Sequence, residues 1–367
     1  MTVSILLVSN AFYPENSPRS FRTTELAKEF SRQGHQVTVI TPWVPEHDEF
    51  AKQHNFTIKD MGKIKWPAIA VKGSGLMRLF RRVVSRLANL LFAYPDIQFI
   101  PLLNTTLGQE KGYDLLISIA VPHPIHWGVA GAWRQQNPIA RVWAADCGDP
   151  YMGQENDSFR PPFYFKYVEK WWCRKADYIT VPTMGAKEAY YPEFRDKIKV
   201  IPQGFRFEDI RVKDEQGHRP YPVFAYAGMF IPGHRDPKEF LTWLVSLEQE
   251  FRFHIYTTTP QWIQPFMKAG KGRVVLHAPV PRQELLYELS GMDFMVNFEN
   301  AGSKQTPSKL IDYAIINKPV LSVKTGNLDK TVVNEFLQGN YSHSLKIDRE
   351  QYRIEKVAQQ FLSLLNN

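Results

Sequence analysis

Two cations stand at a predicted helix start: in Arg235-Asp236-Pro237-Lys238, Asp236 is a good N-cap and Pro237 a good first helical residue. The positive end of the helix dipole disfavours Arg235 and Lys238 there unless an anion occupies it, although exposed side chains can also swing into water. A second start of the same kind is Thr306-Pro307-Ser308-Lys309, after an apolar segment at 293 to 298 and a Gly-containing loop. Free backbone N–H groups, the Ser308 hydroxyl and the Lys309 ammonium make an anion site that suits a diphosphate better than a neutral ligand. Asp312 follows Ser308 on the same helix face, about 6 Å further along. A carboxylate there accepts ribose hydroxyls while the helix start holds phosphates, or it is merely a solvated residue of a capped helix.

In the first half, the apolar run 114 to 120 leads into Val121-Pro122-His123-Pro124-Ile125-His126, placing two histidines at a strand's carboxyl end, where open α/β sheets bind ligands. His123, confined between two prolines, is the better cleft residue; His126 can equally cap or pack. The next apolar run ends in Asp146-Cys147-Gly148-Asp149-Pro150, which offers Asp149 at the same rim, although an Asp-Pro pair is also an ordinary turn.

These groups need a scaffold, and the rhythm of the chain supplies one. Strand-like runs near 4 to 9, 36 to 41, 114 to 120, 140 to 145, 178 to 182 and 198 to 202 alternate with helical periodicity such as Arg19 to Gln33, predicting a mostly parallel sheet. The polar stretch 206 to 220 breaks this rhythm, and a second βα series follows with strands near 223 to 227, 252 to 256, 273 to 277, 293 to 298 and 319 to 323. The expected domains are therefore 1–206 and 207–348, with 349–367 as an amphipathic helix carrying Ile354, Val357, Phe361 and Leu364 at helical spacing. Two doubly wound lobes with a cleft between them are the expected architecture.

Bulk properties narrow the field. A chain of 367 residues exceeds one core, and 44% hydrophobic with 22% charged residues fits a globular protein and excludes a disordered one. No export signal or spanning segment is visible, so a cytoplasmic protein is expected. The two cysteines, Cys147 and Cys173, have no metal-ligand spacing. Much of the net charge of +8 is local: 61–95 contains Lys63, Lys65, Lys72, Arg78, Arg81, Arg82 and Arg86 and no acidic residue. Leu76, Leu79, Phe80, Val83, Leu87, Leu90 and Leu91 recur there at helical spacing. Such a helix either lies on an anionic membrane surface or packs its apolar face on the N-terminal lobe.

Taken together, these segments resemble glycosyltransferase family 4, the retaining nucleotide-sugar transferases of GT-B architecture, and within it a bacterial branch with a Pro-Ser-Lys helix start. The resemblance spans nearly the whole chain. It is carried by Asn10-Ala11-Phe12-Tyr13-Pro14 with Gly34-His35-Gln36-Val37, by His123, His126 and Asp149-Pro150, by Val200-Ile201-Pro202-Gln203-Gly204, by Tyr226-Ala227-Gly228, and by Pro307 to Tyr313 followed by Lys318-Pro319-Val320.

The resemblance implies a catalytic set of His123, Arg235 and Lys238. Arg235 and Lys238 would neutralise the departing diphosphate, and His123 would lie near the transferred sugar. Gly228, Thr306, Ser308, Lys309 and Asp312 would bind the donor, with Asp312 on the ribose; Asn16, Ser17, His126 and Asp149 would form the acceptor or cleft side. It further implies a UDP- or GDP-sugar donor, a glycan or lipid-linked acceptor in cell-surface polysaccharide synthesis, no cofactor, no metal and no nucleic-acid partner. Two departures stand out: Lys304 occupies the place of the first of the family's paired glutamates, which either alters how the sugar is gripped or leaves Glu299 to serve instead, and Asn16-Ser17-Pro18 replaces the glycine-rich first loop.

A nicotinamide-dependent oxidoreductase fits poorly, because Ser9-Asn10-Ala11-Phe12 follows the first strand in place of a Gly-x-Gly-x-x-Gly turn. A nucleotide-sugar epimerase or hydrolase would bind its donor alike and release nucleotide without an acceptor. A non-catalytic carbohydrate-binding protein would bind no nucleotide diphosphate.

Overall fold

A computed structural model describes residues 2–153, 160–213, 217, 219–299 and 309–366. The chain forms two compact units, Met1–Phe205 together with Ile354–Asn367, and Arg206–Arg353. The division falls one residue before the expected break at 206. Residues 349–353, expected to belong to the terminal helix, lie in the second unit, and only the helix Ile354–Ser363 with its short continuation returns to the first.

The first unit holds seven strands: β1 (Ser4–Ser9), β2 (Gln36–Thr41), β3 (Thr57–Asp60), β4 (Tyr113–Ala120), β5 (Ala140–Cys147), β6 (Tyr178–Val181) and β7 (Ile198–Val200). They run in the order β3-β2-β1-β4-β5-β6-β7, parallel throughout. The second holds β8 (Val223–Ala227), β9 (Arg252–Tyr256), β10 (Val274–His277), β11 (Phe294–Phe298) and β12 (Val320–Val323) in the order β10-β9-β8-β11-β12, also parallel. Each sheet therefore reverses its strand order once, at β1/β4 and at β8/β11. Loops leaving the carboxyl ends of those strands diverge and open a ligand crevice.

Strand β1 shows why the sheets are parallel and covered on both faces. Leu6 and Val8 pack into one cluster with Trp127, Trp143 and Trp172, while Ile5 and Leu7 pack into another with Phe30, Val357 and Phe361. A strand apolar on both sides must be buried on both, which βα crossovers achieve. The helical spacing of Ile354, Val357 and Phe361 is what lets the chain end seal the second face; full burial of each such side chain stabilises by about 1.5–3 kcal/mol.

One buried ion pair ties these layers together. Arg22, on the helix Pro18–Arg32, donates from Nε (3.0 Å) and Nη2 (2.9 Å) to the two carboxylate oxygens of Asp146 at the end of β5. Its remaining donors reach the carbonyls of Ile201 and Pro202, and its guanidinium lies over the Phe361 ring. Thr180 adds a hydrogen bond to Asp146 at 2.6 Å, so the carboxylate is fully satisfied where it is desolvated.

The helix Gly75–Phe92 buries none of its residues. Leu76 is 86% exposed and Phe80 64%, so the apolar face expected to pack either on the lobe or on a membrane is not packed on the lobe. Among the described residues, no helix is long and apolar enough to cross a membrane.

Candidate active site

In the second unit the crevice is built around the end of β8. Gly228 follows with φ 152°, and a Cβ there would approach the Tyr226 hydroxyl to 2.9 Å, so only glycine suits both the backbone and the space. Its N–H donates to the Tyr256 carbonyl at 2.9 Å, turning the chain out of the sheet. The helix Lys309–Ile316 is fixed against this turn by Tyr313, whose hydroxyl accepts from the Ala227 N–H and donates to the Val296 carbonyl, both at 3.2 Å. One buried phenol thus spans the switch point from β8 to β11.

This arrangement delivers Lys309 to the crevice. Its ammonium stands 4.3 Å from the centroid of the Tyr226 ring, and Nζ is buried with no hydrogen-bond partner. Burial, and then the nearby Arg235 charge, push its pKa down to about 7. Arg235 arrives from the loop after β8, where Ile231 and Arg235 exchange backbone hydrogen bonds at 3.2 and 2.8 Å and Thr325 donates to the His234 carbonyl at 2.8 Å. The Arg235 Nε is likewise buried without a partner. Two cations held near each other, each with a buried donor nitrogen left unmet, Lys309 Nζ and Arg235 Nε, are costly unless an anion completes them, even though the Arg235 side chain also hydrogen-bonds Tyr226.

A pocket of about 250 Å³ opens beside Lys309, lined by Ala227, Gly228, Met229, Tyr256, Thr257, Thr258, Pro279, Val280, Leu285, Leu289, Asp312 and Tyr313. One rim is polar and the remaining wall largely apolar, as expected of a site for a flat heterocycle carrying a charged tail. His277 stacks on Tyr256 at 4.4 Å and bonds His254 at 2.8 Å, stiffening that wall from behind. Asp312 is paired with Arg282: Nε at 3.0 Å and Nη2 at 2.6 Å donate to its Oδ1.

The first unit has its own crevice residues. His123 ends the loop after β4 and precedes the helix Pro124–Ala132; it is 5% exposed, and its Nδ1 has no partner. Its ring lies 4.9 Å from that of Tyr151, and a backbone group of Asp149 bonds it. Burial, and then the Arg19 charge, push its pKa down to about 3, so it is neutral at working pH. Arg19, near the start of the helix Pro18–Arg32, lies 3.7 Å from the exposed Asp149 carboxylate and so close over Gly148 that any side chain there would collide with the guanidinium.

The sequence-predicted residues thus separate. Lys309, Asp312 and Gly228 line one pocket, with Arg235 within electrostatic reach of Lys309. Lys238 is exposed at the start of the helix Lys238–Ser246, where Asp236 accepts from its N–H at 3.0 Å, and it does not line that pocket. Thr306, Ser308 and Lys304 lie outside the described residues. Ser17 caps the helix Pro18–Arg32 by accepting from the Ser20 N–H at 3.2 Å, and Asn16 is exposed beside it.

His126 requires a correction. It is fully buried, with Nδ1 2.8 Å from the Ser118 Oγ and Nε2 3.3 Å from the Cys147 Sγ. The Trp143 indole donates to the same Oγ at 2.8 Å, so Trp143, Ser118, His126 and Cys147 form one buried chain of polar contacts. Both nitrogens are used in packing, and no cleft role remains.

Sequence reasoning passed over Arg19 and Arg282, yet both are cations at a helix start, the same signal that singled out Arg235. Among the described residues, no group of three His, Cys, Asp or Glu side chains is placed to hold a metal ion.

Comparison with known proteins now decides the family. The sequence pattern of glycosyltransferase family 4 matches residues 21–209, just over half of the chain. The chain belongs to glycosyltransferase family 4. No curated protein matches it in sequence. Its fold is that of GT-B glycosyltransferases: a glycosyltransferase from Rickettsia africae superposes with a TM-score of 0.62 at 10% identity, covering 100% of this chain and 98% of that one. Anabaena HepE in complex with UDP and glucose gives 0.60 at 11% identity, with 99% of each chain covered. The lipopolysaccharide outer core galactosyltransferase WaaB gives 0.58 at 13%, again with 99% of each. For a family 4 member, the two reversals of strand order at β1/β4 and β8/β11 are the inherited frame, and the side chains at their rims are what individualise it.

Proposed function

We propose that this family 4 glycosyltransferase moves a sugar from a nucleotide diphosphate donor, a UDP- or GDP-sugar, to a glycan or lipid-linked acceptor at the inner face of a bacterial membrane, for cell-surface polysaccharide synthesis. The observation that carries the donor assignment is the pair of buried donor atoms without a hydrogen-bond partner on two neighbouring cations, Lys309 Nζ and Arg235 Nε. Breaking the bond between sugar and phosphate builds negative charge on the leaving diphosphate, and cations already desolvated and aimed stabilise that charge without reorganisation. The charge on Lys309 is disfavoured by burial and by the Arg235 charge and is restored by an anion, so its interaction grows as the leaving group develops charge. The complex of HepE with UDP and glucose supports a uridine donor, and Gly228 gives the donor close access to backbone.

In this reading the chemistry is retaining and needs no metal, the cations and backbone N–H groups supplying the charge stabilisation. His123, neutral and with Nδ1 unsatisfied, accepts a hydroxyl proton of the transferred sugar and orients it. Arg19 and Asp149 hold the acceptor side. The helix Gly75–Phe92, whose apolar face is uncovered beside Arg78, Arg81, Arg82 and Arg86, supports an acceptor at the membrane.

The deciding experiment is a thermal-shift panel of UDP, GDP, ADP and their sugar conjugates, followed by transfer assays with the nucleotide that stabilises most. Stabilisation by one nucleoside diphosphate and acceptor-dependent release of it are expected. Acceptor-independent release identifies a hydrolase, and a panel without any shift ends the donor reading.

A further inference from the structure

The Arg282–Asp312 pair is lopsided. A bidentate guanidinium–carboxylate pair ordinarily places one N–H on each oxygen. Here both the Nε (3.0 Å) and Nη2 (2.6 Å) donors converge on Oδ1. Among the described residues, Oδ2 has no hydrogen-bond partner, and the carboxyl lines the pocket that also holds Lys309 and Tyr256. Asp312 follows Lys309 by three positions on the same helix, so the carboxylate stands about 4.5 Å further along the axis on a shared face. Starting from a diphosphate at Lys309, the next group of a nucleotide is the ribose, which presents two adjacent hydroxyl donors.

We propose that Arg282 is a positioning residue for ribose recognition: by saturating Oδ1 it fixes the Asp312 carboxyl plane and leaves Oδ2 as the acceptor for the ribose diol. This rests on the donor reading given above. Without Arg282, the carboxyl is free to turn both oxygens and to take up a proton, since burial raises its pKa and the Arg282 charge opposes that rise. A protonated carboxyl loses half of its acceptor capacity and the charge that strengthens the bond. Arg282 opens the helix Arg282–Ser290, at the dipole end that disfavours a cation. Asp312 is the charge partner that offsets that placement.

The test uses the full chain and calorimetric titration with UDP, GDP and ADP, their 2′-deoxy counterparts, and inorganic pyrophosphate. The parent is expected to prefer the tightest ribonucleotide over its deoxy form by about tenfold, the order of one hydrogen bond to a charged acceptor. Arg282→Met is expected to bring that preference to near unity while pyrophosphate binds as to the parent; Arg282→Lys, keeping charge with fewer aligned donors, is expected to retain part of it. Loss of fold alone would weaken all three ligand classes together, so the ratio separates positioning from scaffolding. If Arg282→Met does not fold, Arg282→Lys decides. A ribo-to-deoxy preference unchanged in the folded variants, or absent from a parent that does bind nucleoside diphosphates, overturns the proposal. A parent that binds no nucleoside diphosphate overturns the donor reading instead.

Discussion

Lys309 and Tyr226 face each other across the β8 turn, ammonium 4.3 Å from ring centroid, and among the described residues the lysine Nζ has no hydrogen-bond partner. An aromatic face attracts a cation without neutralising it, so the charge is held in place yet left available. The same surroundings push the Tyr226 hydroxyl up to about 12, chiefly by burial, so the phenol stays neutral beside it.

Donor affinity is expected to depend on pH through Lys309. Burial and the Arg235 charge push its pKa down to about 7, and a bound diphosphate favours the charged form, raising it. Affinity is then fully present below pH 7 and falls as pH rises from 7 to 9, by at most about tenfold per unit. Calorimetric titration of the best nucleoside diphosphate at several pH values measures this slope. Lys309→Arg, which cannot deprotonate, is expected to flatten it, and Lys309→Ala and Arg235→Ala are each expected to weaken binding tenfold or more with the fold intact. Parent-like affinity in both alanine variants would falsify the assignment of the two cations.

The two histidines are expected to part company under substitution. His123→Ala keeps donor affinity and loses most of the turnover rate. Because the parent ring is already neutral, its pKa pushed down to about 3, the variant's rate loss is the same at pH 6 and pH 8. His126→Ala acts on stability: it empties a buried site and takes one partner each from Ser118 and Cys147, costing about 2–4 kcal/mol in denaturant unfolding. Saturated turnover of His123→Ala equal to that of the parent would remove the residue from the mechanism.

Glu169 is 2% exposed, and its pKa is pushed up to about 7, mainly by burial, against hydrogen bonds from the backbone at Met152 and Tyr151 and from the Tyr191 side chain. The native state therefore holds a proton that the unfolded chain, with an ordinary value of 4.5, releases earlier. Stability conferred by this group is greatest at the acid end of that window and falls as pH rises from about 4.5 to 7. Glu169→Gln is expected to remove that slope and to gain up to about 3 kcal/mol at pH 8, a bound set by about 1.4 kcal/mol per pH unit. Thermal unfolding at pH 5 and pH 8 reads it; an identical pH dependence in parent and variant contradicts the assignment.

Binding to anionic vesicles is expected to require the helix Gly75–Phe92. Each of Arg78, Arg81, Arg82 and Arg86 contributes about 1 kcal/mol near an anionic surface, roughly fivefold in partitioning, and high salt screens it. Substituting glutamine at all four, or Phe80→Glu on the exposed apolar side, is expected to abolish co-sedimentation with phosphatidylglycerol vesicles. Failure of the parent to sediment at low salt would make a soluble acceptor the better assignment.

Much of the fold was legible because its strands are buried on both faces and so stand out as apolar runs. β1, β2, β8 and β9 occupy the expected residues, and the other expected strands differ by one or two at their ends. β3, Thr57-Ile58-Lys59-Asp60, escaped notice because an edge strand is half solvated and carries no such run. At the site, Lys309 and Asp312 were legible from helix-start chemistry, whereas Arg282 was not, since its importance comes from a partner 30 residues away in sequence. Likewise, His126 looks like a ligand in a local reading, and only the tertiary approach of Cys147 and Ser118 shows where its nitrogens are spent.

The chain leaves the first unit after Phe205 and re-enters it at Ile354, whose N–H donates to the Phe205 carbonyl at 3.1 Å. In topological terms the whole second unit is an insertion between two residues that touch. Evolution or an engineer can therefore exchange it by two cuts at one spot, leaving the first sheet, its Arg22–Asp146 clamp and its terminal helix closed on themselves. On the donor and acceptor roles proposed above, a chimera carrying another family member's segment at this junction is expected to take that relative's nucleotide preference and keep its own acceptor, letting the two specificities diversify independently within a single reading frame.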